Sequence, residues 1–162
     1  MHAKNSHCSY CGAAFPHDLP WPRECPLCGA RSYLNPLPVV VAIVPAGNGL
    51  VTVRRNIEPQ KGTLTLPGGY LDLGETWQEG ASRELLEETD IAVPPRDFRL
   101  YDVANGLDDT LVILGLALPQ PRSCLVSFSS NETQEVVLID QPMELGFPLH
   151  TLVVRRYFEE GI

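Results

Sequence analysis

The segment Arg83-Glu84-Leu85-Leu86-Glu87-Glu88 packs three carboxylates into five positions. On a helix, residues three and four apart share a face, so Glu84, Glu87 and Glu88 project together, and like charges at that spacing repel. A helix that gathers them is expected to face a cation. Oxygen-only ligands suit a hard ion such as magnesium or manganese. The helix start is well marked: Thr76 and Glu79 form a capping box. The expected span is Trp77 to Thr89, with Trp77, Ala81, Leu85 and the stem of Glu88 on the apolar side. Asp90 falls at the C-terminal cap, where a left-handed residue is common. The glycine loop Leu66-Pro67-Gly68-Gly69-Tyr70 lies upstream.

The rest of the chain reads mainly as strands. Val39 to Val44 is continuously apolar, the pattern of a strand buried on both faces. Pro45 to Gly49 reads as a turn, Leu50 to Arg55 as a strand, and Leu64 to Leu66 as a short strand entering the glycine loop. Phe98 to Val103 and Thr110 to Leu118 form two further strands, and Gln134 to Ile139 another. Leu149 to Glu160 is expected to be an amphipathic helix with Leu149, Leu152, Val153 and Tyr157 on one side.

Four of the five cysteines form two knuckles, Cys8-x-x-Cys11 and Cys25-x-x-Cys28, separated by 13 residues. Four thiolates can surround a zinc ion tetrahedrally; the other reading is a pair of redox motifs. Gly12 and Gly29, each after the second cysteine of a knuckle, suit a tight turn around a metal. A piece this small buries little apolar surface, so the metal would supply its folding energy. The expected organisation is a zinc ribbon over residues 1–34, a proline-stiffened Asn35-Pro36-Leu37-Pro38 junction, and a second domain over residues 35–162. Cys124 stands alone and is assigned no chemistry.

The 162 residues carry a formal net charge of −8, which argues against general nucleic-acid binding. No apolar run approaches the length of a membrane span, and no apolar signal core follows Met1. The cytoplasm is the expected compartment. A small phosphate compound, held by divalent cations and a few local arginines, is not excluded by that charge; a homodimer is the candidate assembly, and neither nucleic acid nor membrane is an expected partner.

Gly69, five residues, Glu75, seven residues, then Arg83-Glu84-Leu85, Glu87-Glu88 and Ile91 resemble the signature of the Nudix hydrolases. Eight of nine defined positions match; Asp90 stands where the family usually has glycine. The resemblance implies an α/β fold, a mixed sheet between helices in an α/β/α sandwich. It also implies hydrolysis of a nucleoside diphosphate linked to a further group. Carried over by position, Glu87 and Glu88 are direct ligands of magnesium or manganese, Glu84 is a third ligand or the base, and the Gly68 carbonyl adds a backbone ligand. Arg83 and Glu75 support them. Many relatives recruit another carboxylate from a late loop, for which Glu132 and Glu135 are the candidates. Arg54 and Arg55 are candidates to hold a phosphate, and Tyr70 to stack on a base.

A zinc ribbon ahead of such a domain resembles two subfamilies. The downstream array of the NADH diphosphatases is missing from Leu100 to Leu107. The stretch Arg55-Asn56-Ile57-Glu58-Pro59, Gly62, Thr65-Leu66-Pro67, Gly69-Tyr70-Leu71 is similar to a group of ADP-ribose and FAD pyrophosphatases. An ADP-ribose or FAD pyrophosphatase is therefore the leading expectation. An NADH or NAD diphosphatase, or a non-catalytic nucleotide sensor on the same fold, are the alternatives.

Overall fold

The computed structural model describes residues 4–161. They divide after Pro36 into two compact units. In the first, β1 (Arg23–Glu24) pairs antiparallel with β2 (Arg31–Ser32). Each knuckle closes on itself: Cys8 N–H donates to the Ala13 carbonyl and Gly12 N–H to the Cys8 carbonyl, while Cys25 and Gly29 repeat the pattern with Ala30 and Cys25. Gly12 and Gly29 both have positive φ, 75° and 70°, a conformation costly for residues bearing a Cβ.

The second unit holds two four-stranded sheets. One has the order β7 (Gly68–Tyr70), β3 (Leu37–Ile43), β9 (Thr110–Ala117), β8 (Phe98–Asn105). It is mixed, since β3 runs parallel to β9 and antiparallel to β7. The other has β10 (Thr133–Ile139), β5 (Gly49–Arg55) and β4 (Pro45–Ala46), with β6 (Leu64–Thr65) also paired to β5. The helices are α1 (Trp77–Thr89) and α2 (Pro148–Glu160).

The continuous apolar run of β3 follows from burial of both its faces. Side chains alternate along a strand. Val40 and Ala42 join Val44, Ala81 and Leu85 in a core under α1. Val41 and Ile43 join Leu50, Leu114, Val153, Val154 and Tyr157 in a core under α2. A helix therefore covers each face of the strand layer, the α/β/α arrangement with a mixed sheet that the resemblance implied.

The capping box at Thr76 is present. The Thr76 hydroxyl accepts from Glu79 N–H, and the Glu79 carboxylate accepts from Thr76 N–H at 2.7 Å. Asp90 takes the left-handed cap at φ 59°. Three expectations need correction. Leu37 and Pro38 are not a junction but the start of β3, in register with Thr110 and Leu111. The turn after β3 is narrower, because Pro45 and Ala46 pair with Leu50 and Gly49. Leu152 points to solvent at 62% exposure; Pro148 at the first helical position sets a phase in which His150, Val153, Val154 and Tyr157 face inward.

Candidate active site

The carboxylates of α1 sit where β7 hands the chain to the helix. Gly68 N–H donates to Glu88 Oε2 at 2.9 Å, which ties the buried end of the cluster to the glycine loop. A Cβ built on Gly69 would stand 2.5–2.6 Å from the Glu84 carboxylate. Glycine at that position is thus what leaves Glu84 its place. A Cβ on Gly68 would collide with the Val40 carbonyl, so the loop also needs glycine to lie against β3.

Arg83 organises the acidic face. Its Nη2 and Nε reach the two oxygens of Glu75 at 2.7 and 3.1 Å, a forked contact. Nη1 donates to Glu84 at 2.7 Å and to Glu87 at 3.3 Å, and Nη2 also donates to the Tyr70 carbonyl. Asp72 lies 3.9 Å from Nε. Arg83 thus pairs with Glu87 one helical turn on, but Glu75 and Glu84 are the nearer partners. The Glu75 carboxyl is held below its usual range by the Arg83 contact. Burial pushes Glu84 up despite Arg83 beside it. Burial pushes Glu88 up to about 7, with the charge of Glu84 adding to the effect.

Glu84, Glu87, Glu88 and Glu132 line one cleft together with Ser130 and Asn131. Its volume is about 190 Å³, below the ~300–1,000 Å³ usual for pockets that enclose a whole ligand. Glu132 comes from the loop before β10, and its charge raises both Glu84 and Glu88. Glu135, the alternative candidate, does not reach this cleft. It pairs with Arg54 across β5 and β10 at 2.7 Å, and Arg54 also donates to the Gly62 carbonyl. Arg55 takes the opposite face. Its Nε donates to the Pro59 carbonyl, its guanidinium lies 5.4 Å from the Phe147 ring, and its charge acts on Glu88.

Two residues near the site escaped the sequence reading. Buried His150 accepts the Leu66 N–H through Nδ1 at 3.1 Å and so supports the strand leading to the glycine loop. Burial, with Arg55 second, pushes its imidazole down to about 4. Asn56 binds the loop that carries Glu132; its place directly after Arg55 in the Arg-Asn-Ile stretch was the available signal. Tyr70, the candidate to stack on a base, is exposed, whereas Phe98 is core and the Tyr101 hydroxyl donates to Glu160.

In the first unit the Sγ atoms of Cys8, Cys11, Cys25 and Cys28 all lie within 4.8 Å of one another. The Cys8–Cys28 and Cys11–Cys25 separations are 3.8 and 3.6 Å. Four thiolates about 2.3 Å from a tetrahedral centre would stand about 3.8 Å apart. The Cys11 backbone N–H holds the Cys8 thiol down to about 7 and the Cys28 backbone N–H lowers Cys25, while the neighbouring thiols and burial push Cys11 up to about 12. The spacing of these four cysteines fits a small metal-binding module of the zinc-ribbon kind. Cys124 is a free, partly buried thiol packed against the α1 core. Among the described residues no helix is long and apolar enough to cross a membrane.

The NUDIX domain family model matches residues 35–147. An ADP-ribose pyrophosphatase from Methanocaldococcus jannaschii is 41% identical over 59 residues, covering 36% of this chain and 35% of that protein. The NAD-capped RNA hydrolase NudC of Shigella flexneri is 23% identical over 146 residues, covering 90% of this chain and 51% of that protein. The chain thus spans about half or less of the length of these curated relatives. A NUDIX hydrolase from Nitrosomonas europaea superposes with a TM-score of 0.76 at 28% identity, covering 96% of this chain and 91% of that one. With the carboxylate helix, the glycine loop and the fold in agreement, the chain belongs to the Nudix family.

Proposed function

We propose that this chain hydrolyses the pyrophosphate bond of a nucleoside diphosphate linked to a second group, with ADP-ribose and FAD as the leading substrates. The products are AMP and a second monophosphate. The observation that carries this reading is the convergence of Glu84, Glu87, Glu88 and Glu132 on one cleft beside the glycine loop. The donor set fits magnesium or manganese, since carboxylates and a backbone carbonyl offer oxygen alone. Burial first, and then neighbouring carboxylates, raise Glu84 and Glu88; a cation there would favour their charged forms against both effects.

Glu87 and Glu88, with the Gly68 carbonyl, would hold the ion. Bound there, it would neutralise charge on the phosphoryl oxygens and lower the pKa of water. Glu84 is a further ligand or takes the proton of the attacking water. Glu132 completes the acidic wall. Arg83 and Glu75 act through the carboxylates they orient. Arg55, whose charge acts on Glu88 and whose Nη atoms make no hydrogen bond among the described residues, is the better candidate for a substrate phosphate; Arg54 is already held by Glu135 and Gly62. A cleft of this size accommodates ions and phosphoryl groups, leaving the nucleoside outside, where exposed Tyr70 can stack on it. In the first unit, the thiol spacing supports a structural zinc ion.

A second reading, a nicotinamide dinucleotide as substrate, is favoured by the NudC relative, whose match covers 90% of this chain. Chromatography of ADP-ribose, FAD, NADH and NAD incubated with the protein and magnesium or manganese separates the two. Preferential AMP release from ADP-ribose or FAD supports the first reading, preference for NADH or NAD supports the second, and no AMP from any of them overturns both.

A further inference from the structure

Glu132 is exposed, and no side-chain hydrogen bond orients its carboxylate among the described residues. Its place in the cleft therefore depends on its backbone. That backbone is tied at several points. The Glu132 carbonyl accepts the Asn56 N–H at 2.7 Å. The Asn56 side chain donates Nδ2–H to the Ser130 carbonyl at 3.3 Å. The Ser130 hydroxyl accepts from Glu132 N–H at 3.2 Å and from Thr133 N–H at 3.1 Å. Ser130 N–H returns to the Thr133 carbonyl at 2.8 Å. The ladder between β5 and β10 shifts register between Thr133 and Glu135 and ends at the pair Thr133 with Arg55, so residues 130–132 lie beyond the paired strand.

We infer that Asn56 and Ser130 are positioning residues that hold Glu132 against the α1 carboxylates. Asn56 follows Arg55 directly, so one stretch of backbone sets both the phosphate candidate and the fourth carboxylate. This use of a short polar side chain to close a turn is the ordinary chemistry of serine and asparagine. Here its consequence lies in the cleft: without the Ser130 hydroxyl or the Asn56 amide, the loop keeps its sequence but Glu132 loses its fixed approach. The inference rests on the reading of Glu132 as part of the metal cluster.

The test is a double-mutant cycle on the full chain, read both as Mn²⁺ affinity by calorimetry and as AMP release from ADP-ribose. Ser130→Ala and Asn56→Ala are each expected to reproduce the losses of Glu132→Gln, on the order of tenfold. They are expected to add nothing in the Glu132→Gln background. Ser130→Thr, which keeps the hydroxyl, should retain near-native values. Melting curves verify that each variant is folded. Equal losses with and without Glu132, or no loss in either single variant, would overturn the inference. Absence of hydrolysis with an intact Mn²⁺ cycle would instead overturn the proposed function and leave the positioning role standing.

Discussion

Arg83 grips both oxygens of Glu75, with Nη2 2.7 Å from one and Nε 3.1 Å from the other, while Nη1 reaches Glu84 and Glu87. Both side chains are largely withdrawn from water, at 27% and 15% exposure, so the pair is less screened than a surface ion pair. Arg83→Lys keeps the charge and loses the fork. A loss of activity of about 10- to 100-fold is expected, with Glu75→Gln giving a similar loss and the double variant little more. Steady-state kinetics on the three variants checks this; additive losses would mean that the two residues act separately.

Gly69→Ala tests the space reserved for Glu84. The new Cβ would overlap the carboxylate, and Glu84 must swing away from Arg83. Activity is expected to fall by at least about tenfold with the melting temperature little changed. Native kinetics in this variant would remove Glu84 from the working site.

His150 gives a pH prediction. Its folded pKa is depressed to about 4 from an unfolded value of about 6.5. A depressed base favours the folded state fully above the unfolded value, and this contribution is lost as pH falls from 6.5 toward 4. The expected loss between pH 7 and pH 5 is about 2 kcal/mol. Urea titrations at the two pH values should show that loss, and His150→Gln should flatten it. An unchanged pH slope in the variant would mean that another group sets the acid limit.

Cys25→Ser removes one of the two thiols lowered by backbone N–H contacts. Bound zinc is expected to fall from about one ion per chain to well below it. Residues 4–36 should become protease-sensitive, because binding energy is folding energy in so small a unit. Metal analysis and limited proteolysis read this out; full zinc content in the variant would exclude a four-cysteine site.

Local signals were the legible ones. The capping box, the left-handed Asp90 and the two-faced burial of Val40 to Ile43 follow from residue type and period alone, and the structure has all three. The acidic face of α1 was legible because i, i+3 and i+4 geometry depends on nothing distant. The choice between Glu132 and Glu135 was not, because it turns on a register break in a strand pair that spans some eighty residues. Arg54 and Arg55 were likewise interchangeable in sequence, and only the pairing of β5 with β10 assigns Arg54 to Glu135. His150 carried no local sign of its role, since its partner, the Leu66 N–H, lies across the fold.

The central claim, a carboxylate cluster that works through a divalent ion on a pyrophosphate bond, is tested most directly by AMP release from ADP-ribose and FAD. The wild-type chain would be assayed with magnesium or manganese, after chelation, and beside a folded Glu88→Gln variant. Hydrolysis that requires the ion and falls by about 100-fold or more in the variant is the expected result. Hydrolysis that survives chelation, or is unaltered by loss of the Glu88 charge, would contradict it.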